Sequence, residues 1–215
     1  RKAILINSLL PHVLNNFIKN KCLVFQIMTD CVFSGHSKVP YFENSDHDAL
    51  DVYGKSKSLG EVSSNKFINI RTSIIGPEPS KQYKSLFEWF IAQNSNINGF
   101  TNHYWNGITT YDFARVVSLF IKKGITKPKD LHISYVKKTN KYDLLNNINK
   151  IILNNRKKVY KFPTKNTINR TLASDNKELN KKIANHLYNK NTINIKDMLK
   201  DLNLTLTHYY KFYQK

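Results

Sequence analysis

The chain has 215 residues, 40% of them hydrophobic, and a formal net charge of +19. That length supports one sizeable core, or one core with a small lobe, and without an apolar run of about 18 residues no segment is expected to span a membrane. The charge is mostly lysine scattered among Asn and Ile, with arginine only at Arg1, Arg71, Arg115, Arg156 and Arg170. Base readout and bidentate phosphate grip favour arginine, so nucleic acid is not the expected partner, whereas an anionic nucleotide substrate would use the same field. Cys22 and Cys31 make neither a zinc pattern nor a disulfide framework, which suits a reducing, cytoplasmic setting. The seven histidines have no zinc-helix spacing, so no metal is assigned. Residues 1–7 do not read as a signal peptide, and in the absence of an initiating Met the chain reads as a fragment or a product that lost its beginning.

In chain order, residues 8–20 carry helical apolar spacing through Leu9, Leu10, Val13, Leu14, Phe17 and Ile18, with Pro11 early in the helix or kinking it. Cys22 to Met28 is a short apolar run rich in β-branched and aromatic residues, the pattern of a buried strand. Residues 34–50 form a loop. Asp51 caps a helix predicted to run to about Ser64. Phe67 to Ser73 is a second strand, stopped by Gly76-Pro77-Glu78-Pro79. Further helices are expected at 83–94, 112–123, 142–154, 176–188 and 195–202, and a strand at Leu131–Tyr135. This alternation predicts an α/β unit with a parallel sheet, in which ligands bind beyond the carboxyl ends of the strands. Chemistry is therefore sought at Thr29-Asp30-Cys31 and after Gly76-Pro77.

Tyr53 and Lys57 are four apart, on one face of the predicted helix. A lysine ammonium beside a phenol favours the phenolate and lowers its pKa from about 10. Such a tyrosine can protonate a carbonyl oxygen as hydride reaches carbon, and the lysine can hold the ribose hydroxyls of a nicotinamide cofactor. Taken alone, the pair also fits a solvated helix face. Thr29, at a strand end, can donate to the same carbonyl oxygen or be satisfied by its own turn. Asp30 can orient substrate hydroxyls or make an Asx turn. Arg71, inside an apolar strand, reads as a buried ion pair before a ligand contact. Arg170 can meet a nucleotide diphosphate or make a surface salt bridge. Trp105 covers sugar or base, or belongs to the core.

Six segments occur together. They are IMTDCVFSG at 27–35, Pro40-Tyr41-Phe42-Glu43 with Asp46, YGKSKSLGE at 53–61, and IRTSIIGPE at 70–78. The fifth is Asn106-Gly107-Ile108-Thr109-Thr110 with Asp112 and Ala114, and the sixth Asn169-Arg170-Thr171-Leu172 with Asp175, Asp197 and Met198. In order and spacing they resemble the dTDP-4-dehydrorhamnose reductase family of extended short-chain dehydrogenase/reductases. The resemblance implies a Rossmann-type parallel sheet with a smaller C-terminal substrate lobe. Residues 1–75 would be the remainder of the NAD(P)-binding domain. Residues 76–215 would be mainly the substrate lobe, with about 107–123 returning to the first. It implies NADPH or NADH as hydride donor and reduction of a 4-keto group on a nucleotide-linked deoxysugar. Tyr53 would be the proton donor, Lys57 its tuner and the ribose contact, and Thr29 the group polarising the carbonyl. Asp30, Cys31, Ile74, Trp105 and Arg170 would face substrate, and a homodimer is a candidate assembly.

Two features depart from the family. No glycine-rich phosphate loop occurs, because the seven glycines are scattered. Backbone amides at such a loop grip the pyrophosphate, so the sheet is expected to be incomplete, with its first strands and that loop missing, and the chain alone to have little activity. Cys31 and Ile74 stand where rhamnose-pathway members usually carry aromatics, which leaves the sugar open. Two further readings on the same fold are a non-catalytic binding or regulatory subunit and a nucleotide-sugar epimerase or dehydratase. The intact Thr29, Tyr53 and Lys57 favour the reductase.

Overall fold

The computed structural model describes residues 1–19, 22–79, 84–94 and 96–213. A π-helical turn at Ile4–Leu9 runs into α1, Leu10–Phe17. Then come β1 (Val24–Thr29), α2 (Val52–Ser58), β2 (Phe67–Thr72) and β3 (Ile74–Ile75). Next are α3 (Leu86–Ala92), β4 (Ile97–Phe100), β5 (His103–Trp105), β6 (Ile108–Thr109) and α4 (Thr110–Lys123). β7 (Asp130–His132), β8 (Thr139–Asn140), α5 (Lys141–Ile151), β9 (Val159–Phe162), β10 (Ile168–Asn169), α6 (Lys177–Tyr188) and α7 (Ile195–Tyr213) complete the order.

The fold is α/β around a parallel sheet in the order β1-β2-β7. All six residues of β2 are buried, and its polar side chains find partners there: Asn69 donates to Asp130 and Arg71 to Glu61. β1 and β2 run in register from Val24↔Phe67 to Thr29↔Thr72, so both strands end side by side with a threonine. Smaller parallel pairs β3–β6 and β4–β9, and the sheet β10-β5-β8, build the rest. One large core links the sheet through Ile68, Ile70 and Leu131 to Phe87, Phe90, Phe120, Leu144 and Ile148, and to Met198 and Leu199 of α7.

Several element ends differ from the sequence reading. The helix predicted for 8–20 begins earlier, as the π-helical turn, and stops at Phe17; Asn20 lies outside the described residues. α2 stops at Ser58 instead of about Ser64. A Cβ at Gly60 would lie 1.7 Å from the Asn7 carbonyl oxygen, so the turn there admits only glycine. The helix expected at 83–94 spans Leu86–Ala92, with Ser85 as N-cap to Glu88; Tyr83 lies outside the described residues. The strand expected at 131–135 is Asp130–His132. α7 runs to Tyr213 rather than 202, because Leu202 and Leu206 continue the buried stripe begun by Met198 and Leu199.

Arg71 resolves as a buried ion pair: 3% exposed, it donates through Nε to Glu61 Oε1 at 2.6 Å and through Nη2 to Glu61 Oε2. Nη1 reaches the Glu43 carbonyl at 3.2 Å and His132 Nε2 at 3.1 Å. His132 is fully buried, with Nδ1 at 2.8 Å from the Ala173 carbonyl. These partners assign a neutral ring with the proton on Nδ1 and Nε2 accepting from Arg71. Burial first, and the Arg71 charge second, hold His132 down at about 4. A base whose folded pKa lies below its unfolded value stabilises the fold above the unfolded value, and that contribution is lost as pH falls toward the folded one. Stability is therefore expected to drop by about 3 kcal/mol between pH 6.5 and 4 on this group alone. Urea denaturation across that range should show it, and His132→Gln should flatten the slope.

Candidate active site

The site is built where β1 and β2 end. Thr29 closes β1 and leads into a 3-10 turn, Asp30–Val32. Its hydroxyl accepts from Cys31 N at 3.1 Å and stands 3.3 Å from Asp30 Oδ1. α2 begins just beyond the loop. Asp51 caps it by accepting from Gly54 N at 2.8 Å, and Lys55 and Lys57 sit in its last turn, where the helix dipole favours cations.

Gly54 sets how closely α2 approaches β1. A Cβ there would lie 2.2 Å from the Cys31 carbonyl oxygen and 2.5 Å from Ala49 Cβ, both unyielding neighbours. Gly54→Ala is expected to push α2 off the strand end, costing about 1–3 kcal/mol by overpacking and moving Tyr53. Chemical denaturation checks the first effect; a cost under 0.5 kcal/mol would mean the helix can slide freely.

Thr29, Tyr53 and Lys57 line one cleft of about 470 Å³, together with Asp30, Cys31, Thr72, Ser73, Ile74 and Lys84. The Tyr53 phenol and the Thr29 hydroxyl share this cleft. Lys57 Nζ donates to the Ile27 carbonyl at 2.8 Å. The expected tuning of Tyr53 runs the other way. Burial pushes the phenol up, the hydrogen bond with Thr29 pulls it back, and Cys31, Asp30 and Asp51 push it up again. The phenol thus faces carboxylates and a thiol, while the ammonium is turned toward the strand backbone. Burial lowers the Lys57 ammonium, with Glu61 opposing. What the arrangement offers is a protonated phenol and a threonine hydroxyl, both able to donate to one oxygen.

Asp30 is 4% exposed, and burial pushes its carboxyl up against the pull of Lys141, Arg170, Ser73 and Thr29. Burial likewise pushes the Cys31 thiol up. Among the described residues Arg170 makes no salt bridge: its Nη1 points at Cys31 Sγ, 3.6 Å away. Trp105, left open between pocket and core, is 2% exposed and belongs to the main core; it lines neither this cleft nor its neighbour.

That neighbour is a cavity of about 510 Å³ walled by Leu86, Trp89, Phe100 and Leu145, with Lys84, His103 and Lys141 adding charge or polarity. Lys84 belongs to both hollows. Lys84, Ser73 and Lys141 were not singled out from sequence. Only Lys141 carried a signal, a cation at the start of a helix where the dipole disfavours it. Among the described residues no group of three or more His, Cys, Asp or Glu side chains could hold a metal ion, and no helix is long and apolar enough to cross a membrane.

Two parallel strands that each end in a threonine, with a Tyr-x-x-x-Lys helix between them in the chain and lining the same cleft, define the class: the Rossmann-type fold of the extended short-chain dehydrogenase/reductases. The model of the RmlD substrate binding domain matches residues 1–207. The chain belongs to that family, the dTDP-4-dehydrorhamnose reductase (RmlD-like) family. Among solved structures, it is similar to a dTDP-4-dehydrorhamnose reductase of Clostridium acetobutylicum, at 21% identity and TM-score 0.69 over 95% of this chain and 73% of that one. It is similar to the Bacillus anthracis dTDP-4-dehydrorhamnose reductase in complex with NADP, at 17% identity and TM-score 0.62 over 85% of this chain. The Bacillus anthracis dTDP-glucose 4,6-dehydratase in complex with NAD shares the fold at 11% identity and TM-score 0.67 over 98% of this chain and 70% of that one. The chain spans 65% of the Bacillus reductase, just under two thirds. No curated protein sequence matches it.

Proposed function

We propose that this chain carries the reacting centre of an NAD(P)H-dependent reductase acting on the 4-keto group of a nucleotide-linked deoxysugar, in the supply of sugar precursors for cell-surface polysaccharide. The observation that supports it is the meeting of Thr29, Tyr53 and Lys57 in one cleft at the ends of two parallel strands. In this reading Tyr53 delivers the proton to the carbonyl oxygen and Thr29 donates a second hydrogen bond as negative charge develops there. Lys57 holds ribose hydroxyls with the ammonium protons not given to Ile27. Asp30, Cys31 and Ile74 shape the sugar's surroundings, and Arg170 stands behind Cys31. The apolar cavity beside Lys84 suits the nucleoside.

The donor set fits the nicotinamide-ribose end of the cofactor, which when bound supplies the hydride. Residues 1–215 contain no glycine-rich turn between a strand and a helix to cradle a pyrophosphate. By themselves they are therefore proposed to bind NADPH or NADH weakly and to turn over little. Residues 1–75 form the dinucleotide side of the site. Residues 76–215 are chiefly the substrate lobe, with 107–123 packing back on the sheet. The setting proposed is cytoplasmic, with a homodimer as the candidate assembly and neither nucleic acid nor membrane as partner.

The phenol of Tyr53 stays protonated at neutral pH, as an ordinary tyrosine does, which suits reduction. A tyrosine kept protonated at neutral pH is ready to donate, whereas drawing a proton from an alcohol needs the phenolate. Fluorescence titration of residues 1–215 with NADPH is expected to show weak binding, and tight binding would overturn that part of the proposal. Absorbance loss with nucleotide-linked 4-keto sugars tests the reaction, using residues 1–215 joined to a glycine-rich dinucleotide loop.

A further inference from the structure

Ser58, the last residue of α2, lies outside the cleft of Tyr53. Its hydroxyl stands 2.8 Å from His47 Nδ1. The other ring nitrogen, Nε2, faces Glu61 Oε2 at 3.9 Å, and the Arg71 guanidinium holds that carboxylate in place. A carboxylate on the Nε2 side favours the tautomer with its proton there, which leaves Nδ1 to accept from Ser58. Neighbouring contacts fix the ring. Phe33 meets it edge to face, with 5.4 Å between centroids. The next residue, Asp48, accepts from Ser34 N at 2.6 Å and from Ser34 Oγ at 2.5 Å, and Ala49 N donates to the Val32 carbonyl at 3.0 Å. Burial, with Glu61 opposing, holds the imidazole below its ordinary value, so the ring is a neutral base at pH 7.

Ser58 and His47 open on a hollow of about 250 Å³, lined also by Ala49, Lys55 and Leu59. It shares no lining residue with the cleft of Tyr53 or with the apolar cavity. A hydroxyl hydrogen-bonded to a base that a third group orients is the arrangement of an activated nucleophile. Lys55 lies one turn before Ser58 on the same helix face. Its charge offsets the negative end of the helix dipole and favours an oxyanion there. We propose that Ser58 accepts a short acyl group from an activated ester or thioester, with His47 as its general base. The bond from Oγ to the acyl carbon forms, and the bond from that carbon to the leaving oxygen or sulfur breaks. The Oγ proton passes to His47 and on to the leaving group. The hollow is smaller than the usual site for a drug-sized ligand, which limits the acyl group to a short one.

Mass spectrometry of residues 1–215 after incubation with 4-nitrophenyl acetate or with acetyl-CoA tests this at neutral pH. The expected product is an acetyl ester on Ser58. Hydroxylamine removes an ester and leaves the amides that these reagents form on lysine. Ser63 is exposed and shares the tryptic peptide between Lys57 and Lys66, so it is an internal control. Ser58 should label about a hundredfold faster than Ser63, the scale of a positioned general base. His47→Gln should erase that advantage, and Ser58→Ala should leave only the slow background. Labelling of Ser58 by either donor at that rate supports the proposal. A chain that gains no Ser58 ester from either donor would overturn it, as would equal rates at Ser58 and Ser63, or a folded His47→Gln that labels as the unaltered chain does. Should His47→Gln not fold, the ratio of Ser58 to Ser63 in the unaltered chain decides alone. The hollow shares no residue with the cleft of Tyr53, so neither result bears on the reductase reading.

Discussion

Tyr53→Phe is expected to lower kcat by about 10²- to 10⁴-fold, the usual contribution of a positioned general acid, with KM nearly unchanged. The substitution removes one oxygen and keeps the ring in the cleft that Thr29 and Lys57 also line. Thr29 can still donate to the carbonyl oxygen, so the loss should fall on proton delivery rather than binding, and kcat and kcat/KM should fall together. Burial and the neighbouring Cys31, Asp30 and Asp51 hold the phenol above its ordinary range. The reductive rate of the unaltered protein should therefore be flat through neutral pH and fall only in alkali. Steady-state kinetics on residues 1–215 joined to a dinucleotide-binding loop measures both. A Tyr53→Phe protein that turns over normally would remove Tyr53 from the chemistry.

The second large effect is on stability. Arg71→Met should cost about 3–5 kcal/mol, as when a buried ion pair loses one partner. Glu61, with its side chain 13% exposed, would keep a carboxylate with no cation in hydrogen-bonding contact. The Glu43 carbonyl and His132 Nε2 would lose their donor as well. Urea denaturation should show the midpoint shift, and Arg71→Met with Glu61→Leu should recover much of it, because the pair is removed whole. A cost below about 1 kcal/mol for the single change would place the pair among surface salt bridges.

The parallel sheet was legible because β1 is a mostly apolar run and β2 is rich in β-branched and aromatic residues, while Gly76-Pro77 punctuates the chain after them. Helices α4, α5 and α6 were legible from apolar spacing over eleven to fourteen residues. The strands of two to four residues, β3 to β6 and β8 to β10, were not, because so few residues cannot display a period. Their pairing comes from tertiary packing, as when β10 lies beside β5 with 62 residues or more between them. At the site, the sequence put Thr29, Tyr53 and Lys57 within reach of one another but gave the wrong sign for the phenol. Helical spacing says which face Lys57 shares with Tyr53. It says nothing of the Ile27 carbonyl that accepts the Lys57 hydrogen bond, or of Asp30 and Cys31, which the turn after β1 brings near the phenol. Trp105 looked equally suited to pocket and core, and burial decided it. Lys141 was passed over because one lysine among so many stands out only by its place at a helix start, and the helix expected at 142–154 left it one residue outside.

A double-mutant cycle of Thr29→Val and Tyr53→Phe on kcat tests most directly whether the two hydroxyls act on one oxygen. Each single change should slow reduction strongly, and the pair should be slower than Tyr53→Phe alone but by less than the product of the two losses, a coupling of about 1–3 kcal/mol. Losses that simply multiply, or an unaltered protein that reduces no nucleotide-linked ketone, would contradict it.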